Sequence, residues 1–201
     1  IACESRGVSP IMRVGNIDIC QIQNALDIGM HGIQVPNINT MRDAANVIKF
    51  SKYPPIGIRG FSPFTRAGGY SNKNAKTLTK EANKNIATIL NIEGVDAIEN
   101  IDEILSIKEA DIYFVGLFDL SKSLGIPGET SNPIVLKKLK HIIEKVNKAG
   151  KYPGTIATSL DQINYFLDIG IRYLTYSVDC DILLSGYQSA VNIFSSDRRH
   201  V

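Results

Sequence analysis

Short apolar runs alternate with amphipathic stretches of helical length along nearly the whole chain, and this constrains the fold more than any single residue does. An apolar strand must be covered and a helix with one apolar stripe must lie against something; repeated βα units around a parallel sheet meet both demands. Seven strands are expected, at 10–14 (PIMRV), 32–36 (GIQVP), 57–60 (GIRG), 86–93 (IATILNIE), 111–116 (DIYFVG), 152–157 (YPGTIA) and 173–178 (YLTYSV). Segment 57–60 carries the weakest signal of the seven.

The intervening helices are marked by spacing and by their end residues. Segment 133–149 has Asn132 as N-cap, Pro133 in the first turn, Leu136, Leu139, Ile143 and Val146 on one face, and Gly150 as its stop. Segment 159–169 opens with Ser159 and Gln162 as a capping box, turns Ile163, Phe166 and Leu167 inward, and ends at Gly170. An internal echo supports the same architecture. "LDIGMHGIQV" at 26–35 and "LDIGIRYLTY" at 167–176 both run from helix end through glycine into strand.

Seven such strands point to an α/β fold of the (β/α)₈ TIM-barrel type, which typically needs about 250 residues. This chain has 201. "IACESRG" reads as the end of a helix stopped by Gly7, so the barrel is expected to lack its first strand and most of its first helix. One barrel domain over 1–190 and a C-terminal tail over 191–201 follow, with Asp197, Arg198, Arg199 and His200 as a solvated charged end.

The 22 basic and 20 acidic residues are spread along the chain, without a basic block that would suggest a nucleic-acid partner. No apolar run reaches the roughly 18 residues needed to span a bilayer, so no membrane role is expected. Cys3, Cys20 and Cys180 are odd in number and contain no C-x-x-C pair, which fits a reduced compartment, by default the cytoplasm.

In a parallel barrel, chemistry gathers at the C-terminal ends of the strands. The polar residues expected there are Arg13, Arg59, Asn91, Glu93 and Asp119. Glu93 closes "IATILNI" and Asp119 follows "IYFVGLF", so two carboxylates from consecutive strands should face each other across the mouth. Brought close, they repel unless one is protonated or a cation lies between them. Hard oxygen donors favour Mg²⁺ or Mn²⁺. The alternative is that each acid caps the following helix or pairs with Arg13 or Arg59. Arg13 should present its guanidinium to the same mouth, where the fork suits a carboxylate or an enolate oxygen; its alternative is an internal pair with Glu93.

Other residues are less specific. Asp27 lies near a helix C-terminus, where its charge opposes the dipole, but Asp168 occupies the same place in the repeat. His31 falls at the N-terminal end of its strand, His141 on a helix and His200 in the tail. "RAGGY" lacks the Lys-Ser or Lys-Thr of a phosphate loop. The lysines lie in helices, loops or, with Lys151, at a strand's start, which disfavours a Schiff-base mechanism.

Taken together, "PIMRVG", "ALDIGMHGIQVP", "YPPIGIRGFSPFTRAGGY", "LNIEGVDAIENIDEIL" and "VGLFDLSKSLGIPG" resemble the HpcH/HpaI aldolase family, metal-dependent pyruvate aldolases related to citrate lyase beta chains. The resemblance covers about residues 1–190 in the family's order. It implies that Glu93 and Asp119 hold a divalent metal (Mg²⁺, Mn²⁺ or Co²⁺) and that Arg13 holds the pyruvate carbonyl and its enolate. It implies further that Asp27 reaches an active site across a subunit contact in a homo-oligomer. The backbone around Leu117, Phe118 and Asp119, with Asn91, would meet the pyruvate moiety. The loop from Arg59 to Tyr70 would border the aldehyde end, with Arg66 receiving an anionic group.

Three departures stand beside the resemblance. The family's Asp-x-Glu-His type motif, whose histidine helps the proton transfers, is absent; Asn91 stands where relatives often carry Gln; and "GLFD" replaces a more usual Gly-Pro-x-Asp. The implied activity is reversible aldol cleavage of a 4-hydroxy-2-oxo acid through a pyruvate enolate, with a small 2-oxo acid and an aldehyde as partners. The alternatives are a lyase acting on a citrate-like or malyl-CoA thioester, and a noncatalytic 2-oxo-acid-binding barrel.

Overall fold

The computed structural model describes residues 1–71 and 74–197. Within them six strands form one sheet: β1 (Ile11–Arg13), β2 (Gly32–Val35), β3 (Ala87–Ile92), β4 (Ile112–Val115), β5 (Tyr152–Ala157) and β6 (Tyr173–Tyr176). They pair in sequence order and every pairing is parallel. The return from one strand to the next is helical throughout: α1 (Ile19–Asp27); α2 (Met41–Ser51) and α3 (Ala75–Asn85); α4 (Val95–Glu99) and α5 (Ile101–Leu105); α6 (Leu117–Ser123) and α7 (Pro133–Lys148); and α8 (Leu160–Asp168). A final helix, α9 (Asp179–Asp197), follows β6.

The closed eight-stranded barrel expected from the sequence is not what forms. The sheet is a six-stranded half-barrel whose outer strands β1 and β6 each have a neighbour on one side only. Closure requires strand number and stagger to match around a full circle, and six strands of this sheet leave the circle open. The expected strand at 57–60 is one reason for the shortfall. There Ile58 N–H donates to Lys49 O (2.7 Å) and Arg59 N–H to Lys52 O (3.0 Å), so the segment folds onto the end of α2 and not into the sheet. A Cβ at Gly57 would stand 2.3 Å from Lys52 O, a closeness only glycine allows.

The other elements form where their sequence signals lie. Asn132 caps α7 by accepting from Ile134 N–H, with Pro133 in the first turn, and Val135, Leu139, Ile142, Ile143 and Val146 are buried. Leu136 is only partly covered. Ser159 caps α8 by accepting from Gln162 N–H, while the Gln162 side chain reaches back to Thr158 N–H (2.8 Å) and not to the cap residue itself. Phe166 is buried there, whereas Leu167, expected inward, is 45% exposed, because adjacent helical residues point about 100° apart. The reciprocal capping box occurs instead on α2, between Thr40 and Asp43. In α9 the large apolar side chains from Ile182 to Phe194 are exposed, and the helix runs on to Asp197 where a tail was expected; residues 198–201 lie outside the described residues.

The core lies between the helices and the outer face of the sheet, where Ile33, Val35, Leu90, Ile92, Tyr113 and Val115 meet Ile22, Leu26, Val47, Ile104 and Leu139. Burial pushes the Tyr113 phenol pKa upward. The inner face of the sheet is left free to carry polar groups.

Candidate active site

Strand register decides which side chains share the inner face. Arg13 on β1 stands beside Gln34 on β2, Asn91 on β3 beside Phe114 on β4, and Ile156 on β5 beside Thr175 on β6. The stagger enters at two places. Gln34 is opposite Ile89, two residues before Asn91, and Phe114 is opposite Gly154, two residues before Ile156. Because side chains alternate faces with period two, a shift of two keeps all six on one side and moves them toward the strands' C-terminal ends.

There they line a pocket of about 330 Å³ together with Glu93, Gly116, Leu117, Phe118, Asp119, Ser177 and Val178. Glu93, one residue past the end of β3, is 8% exposed. Its Oε1 accepts from Asn37 N–H at 2.8 Å and its Oε2 from Asn91 Nδ2 at 3.3 Å. Asn37 offers that N–H from a left-handed conformation (φ 58°) in the loop after β2. Gln34 Nε2 in turn donates to Asn91 Oδ1 at 2.8 Å. Gly116 lets the carboxylate come close to β4: a Cβ there would stand 2.9 Å from Glu93 Oε2 and 3.1 Å from Glu93 Cβ.

Asp119 is in the first turn of α6 and exposed, and Arg13 is exposed at the end of β1. The bland alternatives do not hold here. Among the described residues the ion pairs involve Glu4, Asp27 and Asp102 as acids, so neither Glu93 nor Asp119 is matched by a basic side chain. Neither caps a helix through its side chain: the N-cap residues of α4 and α6 are Gly94 and Gly116, and neither helix start has a side-chain cap bond. Two unmatched carboxylates on one pocket wall are a suitable donor set for a hard divalent cation, which commonly takes one or two carboxylates and completes its shell with water and substrate oxygens. No cluster of three or more His, Cys, Asp or Glu occurs among the described residues.

Asp27, Arg59 and Arg66 sit elsewhere. Arg59 and Arg66 line a separate cavity of about 810 Å³ with Glu4, Met30, His31 and Ala87, at the N-terminal ends of the strands. Arg59 is 2% exposed, donates through Nη2 to Asp27 Oδ1 at 2.7 Å, and lies over the Tyr53 ring with Cζ 4.5 Å from its centroid. Its Nε and Nη1 have no hydrogen-bond partner among the described residues. Arg66 pairs with Glu4. One chain therefore joins Arg13, Asn91, Leu117, Phe118, Glu93 and Asp119 in one pocket and keeps Asp27, Arg59 and Arg66 at the other end of the sheet.

Sequence reasoning passed over Gln34, Asn37 and Gly116. A signal for Gln34 was present, since it is the one polar residue in "GIQVP". For Asn37 and Gly116 the roles come from backbone approach, which residue type alone does not reveal. Lys52 was also missed as a buried lysine. It is 3% exposed, its ammonium donates to Asn83 O (3.1 Å) and Ile86 O (2.7 Å), and burial lowers its pKa. It does not line the Glu93 pocket, and no lysine among the described residues does.

A parallel α/β sheet that carries two acids and a guanidinium at the C-terminal ends of its strands places its polar groups where enzymes of barrel type hold their active sites. The comparisons narrow this. Residues 1–185 match the model of the HpcH/HpaI aldolase/citrate lyase family, and the chain belongs to that family. It is 29% identical over 194 residues to the 5-keto-4-deoxy-D-glucarate aldolase of Shigella boydii, covering 96% of this chain and 75% of the relative. Among solved structures, an HpcH/HpaI aldolase from Desulfitobacterium hafniense superposes with a TM-score of 0.90 at 27% identity, over 96% of this chain and 74% of that one. The citrate synthase SbnG superposes with a TM-score of 0.84 at 28% identity, over all of this chain and 77% of that one. Aldolase and lyase chemistry is thus the chemistry of this chain's relatives. No described helix is long and apolar enough to cross a membrane.

Proposed function

We propose that the chain is a divalent-metal-dependent aldolase that cleaves and forms the carbon–carbon bond of a 4-hydroxy-2-oxo acid, with pyruvate as one product. One observation carries this reading: Glu93 and Asp119 line the same pocket as Arg13, and among the described residues neither acid has a basic partner. Glu93 and Asp119 would hold the cation, here Mg²⁺ or Mn²⁺. When bound it supplies Lewis acidity toward the 2-oxo group. Arg13 orients the 2-oxo acid and balances the negative charge that grows on its oxygen as the bond breaks. Asn37 N–H and Asn91 fix the Glu93 carboxylate, and Leu117 and Phe118 cover one side of the substrate. Asp27, Arg59 and Arg66, remote within one chain, serve the aldehyde end only if a second subunit brings the lower end of its sheet to this pocket.

A second reading is favoured by one feature: among the described residues no histidine lines the pocket, which leaves for proton transfer only the carboxylates already assigned to the cation. In that reading the protein binds a 2-oxo acid without turnover. The assay follows pyruvate release from 4-hydroxy-2-oxo acids with Mg²⁺ or Mn²⁺ and again with chelator. Chelator-sensitive pyruvate supports the aldolase. Its absence, with oxalate still bound, supports the second reading, and release that chelator leaves unchanged refutes the metal assignment.

A further inference from the structure

We propose that Gln34 is a positioning residue for the Glu93 carboxylate, acting through Asn91; the inference rests on Glu93 being a cation ligand, as proposed above. The three side chains form a line, Gln34 Nε2 to Asn91 Oδ1 at 2.8 Å and Asn91 Nδ2 to Glu93 Oε2 at 3.3 Å. Its polarity is set from one end. A carboxylate only accepts, so Asn91 must turn its NH₂ toward Glu93 and its oxygen toward β2, where only a donor can meet it. Gln34 supplies that donor from the neighbouring strand.

Asn91 is 2% exposed, so without Gln34 its Oδ1 is a buried acceptor with no partner and the amide has reason to turn over. Turned over, it would point oxygen at oxygen and push the carboxylate from its place. The other oxygen of Glu93 is held separately by Asn37 N–H. Each carboxylate oxygen thus accepts one bond from an uncharged donor and keeps lone-pair capacity for a cation. Because those donors carry no charge, they fix the ligand without competing with the cation. Gln34 also lines the pocket itself, and the double variant below separates its action through Asn91 from a direct effect on the site.

The test is calorimetric titration with Mn²⁺ alone on the wild type, Gln34→Met, Gln34→Leu, Asn91→Ala, the double variant Gln34→Met/Asn91→Ala, and Glu93→Gln, with thermal unfolding to show that each is folded. Loss of a partner that orients a metal ligand typically weakens binding 10–100-fold, and Gln34→Met is expected to weaken Mn²⁺ binding about tenfold. The double variant is expected to bind no more weakly than Asn91→Ala alone, because Gln34 acts only through Asn91. Additive losses, or affinities of Gln34→Met and Gln34→Leu within about twofold of wild type while Glu93→Gln has lost binding, would overturn the positioning role. Wild-type affinity in Glu93→Gln would instead overturn the assignment of Glu93 as a ligand, a separate failure.

Discussion

Gly116→Ala tests how tightly the Glu93 carboxylate is held. Gly116 adopts φ −79° and ψ 92°, which alanine reaches without strain, so the substitution perturbs only the space beside Glu93. The added methyl would meet Glu93 Oε2 at 2.9 Å and Glu93 Cβ at 3.1 Å, about half an ångström inside ordinary contact. Relief requires the carboxylate to move away from β4. The bond to Asn91, already 3.3 Å long, is the one that fails, while the 2.8 Å bond to Asn37 N–H resists the movement. Overpacking costs about 1–3 kcal/mol and a lost hydrogen bond to a charged acceptor about 1.5–3 kcal/mol. Reduced freedom of the unfolded chain returns about 0.4–1 kcal/mol, and partial relaxation of the pocket lowers the cost further. A net destabilisation of about 1–3 kcal/mol in urea unfolding is expected, together with about tenfold weaker Mn²⁺ binding by calorimetry. Unchanged stability with unchanged Mn²⁺ affinity would refute the close approach of Glu93 to β4 as a determinant of the site.

Arg13 is exposed and holds up no part of the core, so Arg13→Ala is expected to abolish pyruvate release while the circular dichroism and Tm stay close to wild type; near-normal turnover would remove it from the mechanism. Asp27→Ala leaves the buried Arg59 guanidinium without its carboxylate partner and is expected to cost about 3–5 kcal/mol in chemical unfolding, a loss that an exposed pair would not give. The Tyr113 phenol is raised above its ordinary pKa of 10.0, so the folded state keeps its proton where the unfolded state loses it. That stability is present below pH 10 and is lost as pH rises further, and Tyr113→Phe is expected to flatten the alkaline decline of stability; an identical slope in the variant would contradict this.

The local order of the fold was legible in the chain because strands and helices announce themselves through contacts close in sequence. Short apolar runs marked β1 to β6, and Asn132 with Pro133 placed the start of α7 to the residue. Glu93 and Asp119 could be assigned to one mouth because each follows an apolar strand and adjacent strands deliver their ends to the same rim. "GIRG" misled because a short apolar run has the same composition whether it joins a sheet or folds onto a helix end, and the bonds from Ile58 and Arg59 to α2 decide between the two.

What the sequence determined by itself was the succession of βα units, the family, and the identity of the acids and guanidinium at the strand ends. Only the tertiary structure decided that six strands stop short of a closed barrel, that Arg59 turns to Asp27 and Tyr53 at the far end of the sheet, and that Asn37 and Asn91 donate to Glu93 beside Gly116, with Gln34 bonded to Asn91. The physical reason is range. Periodicity and caps are set within a few residues, whereas register and backbone approach depend on which strands lie side by side, and the surroundings of Glu93 (Asn37, Gly116, and Gln34 behind Asn91) are brought together only when the sheet forms.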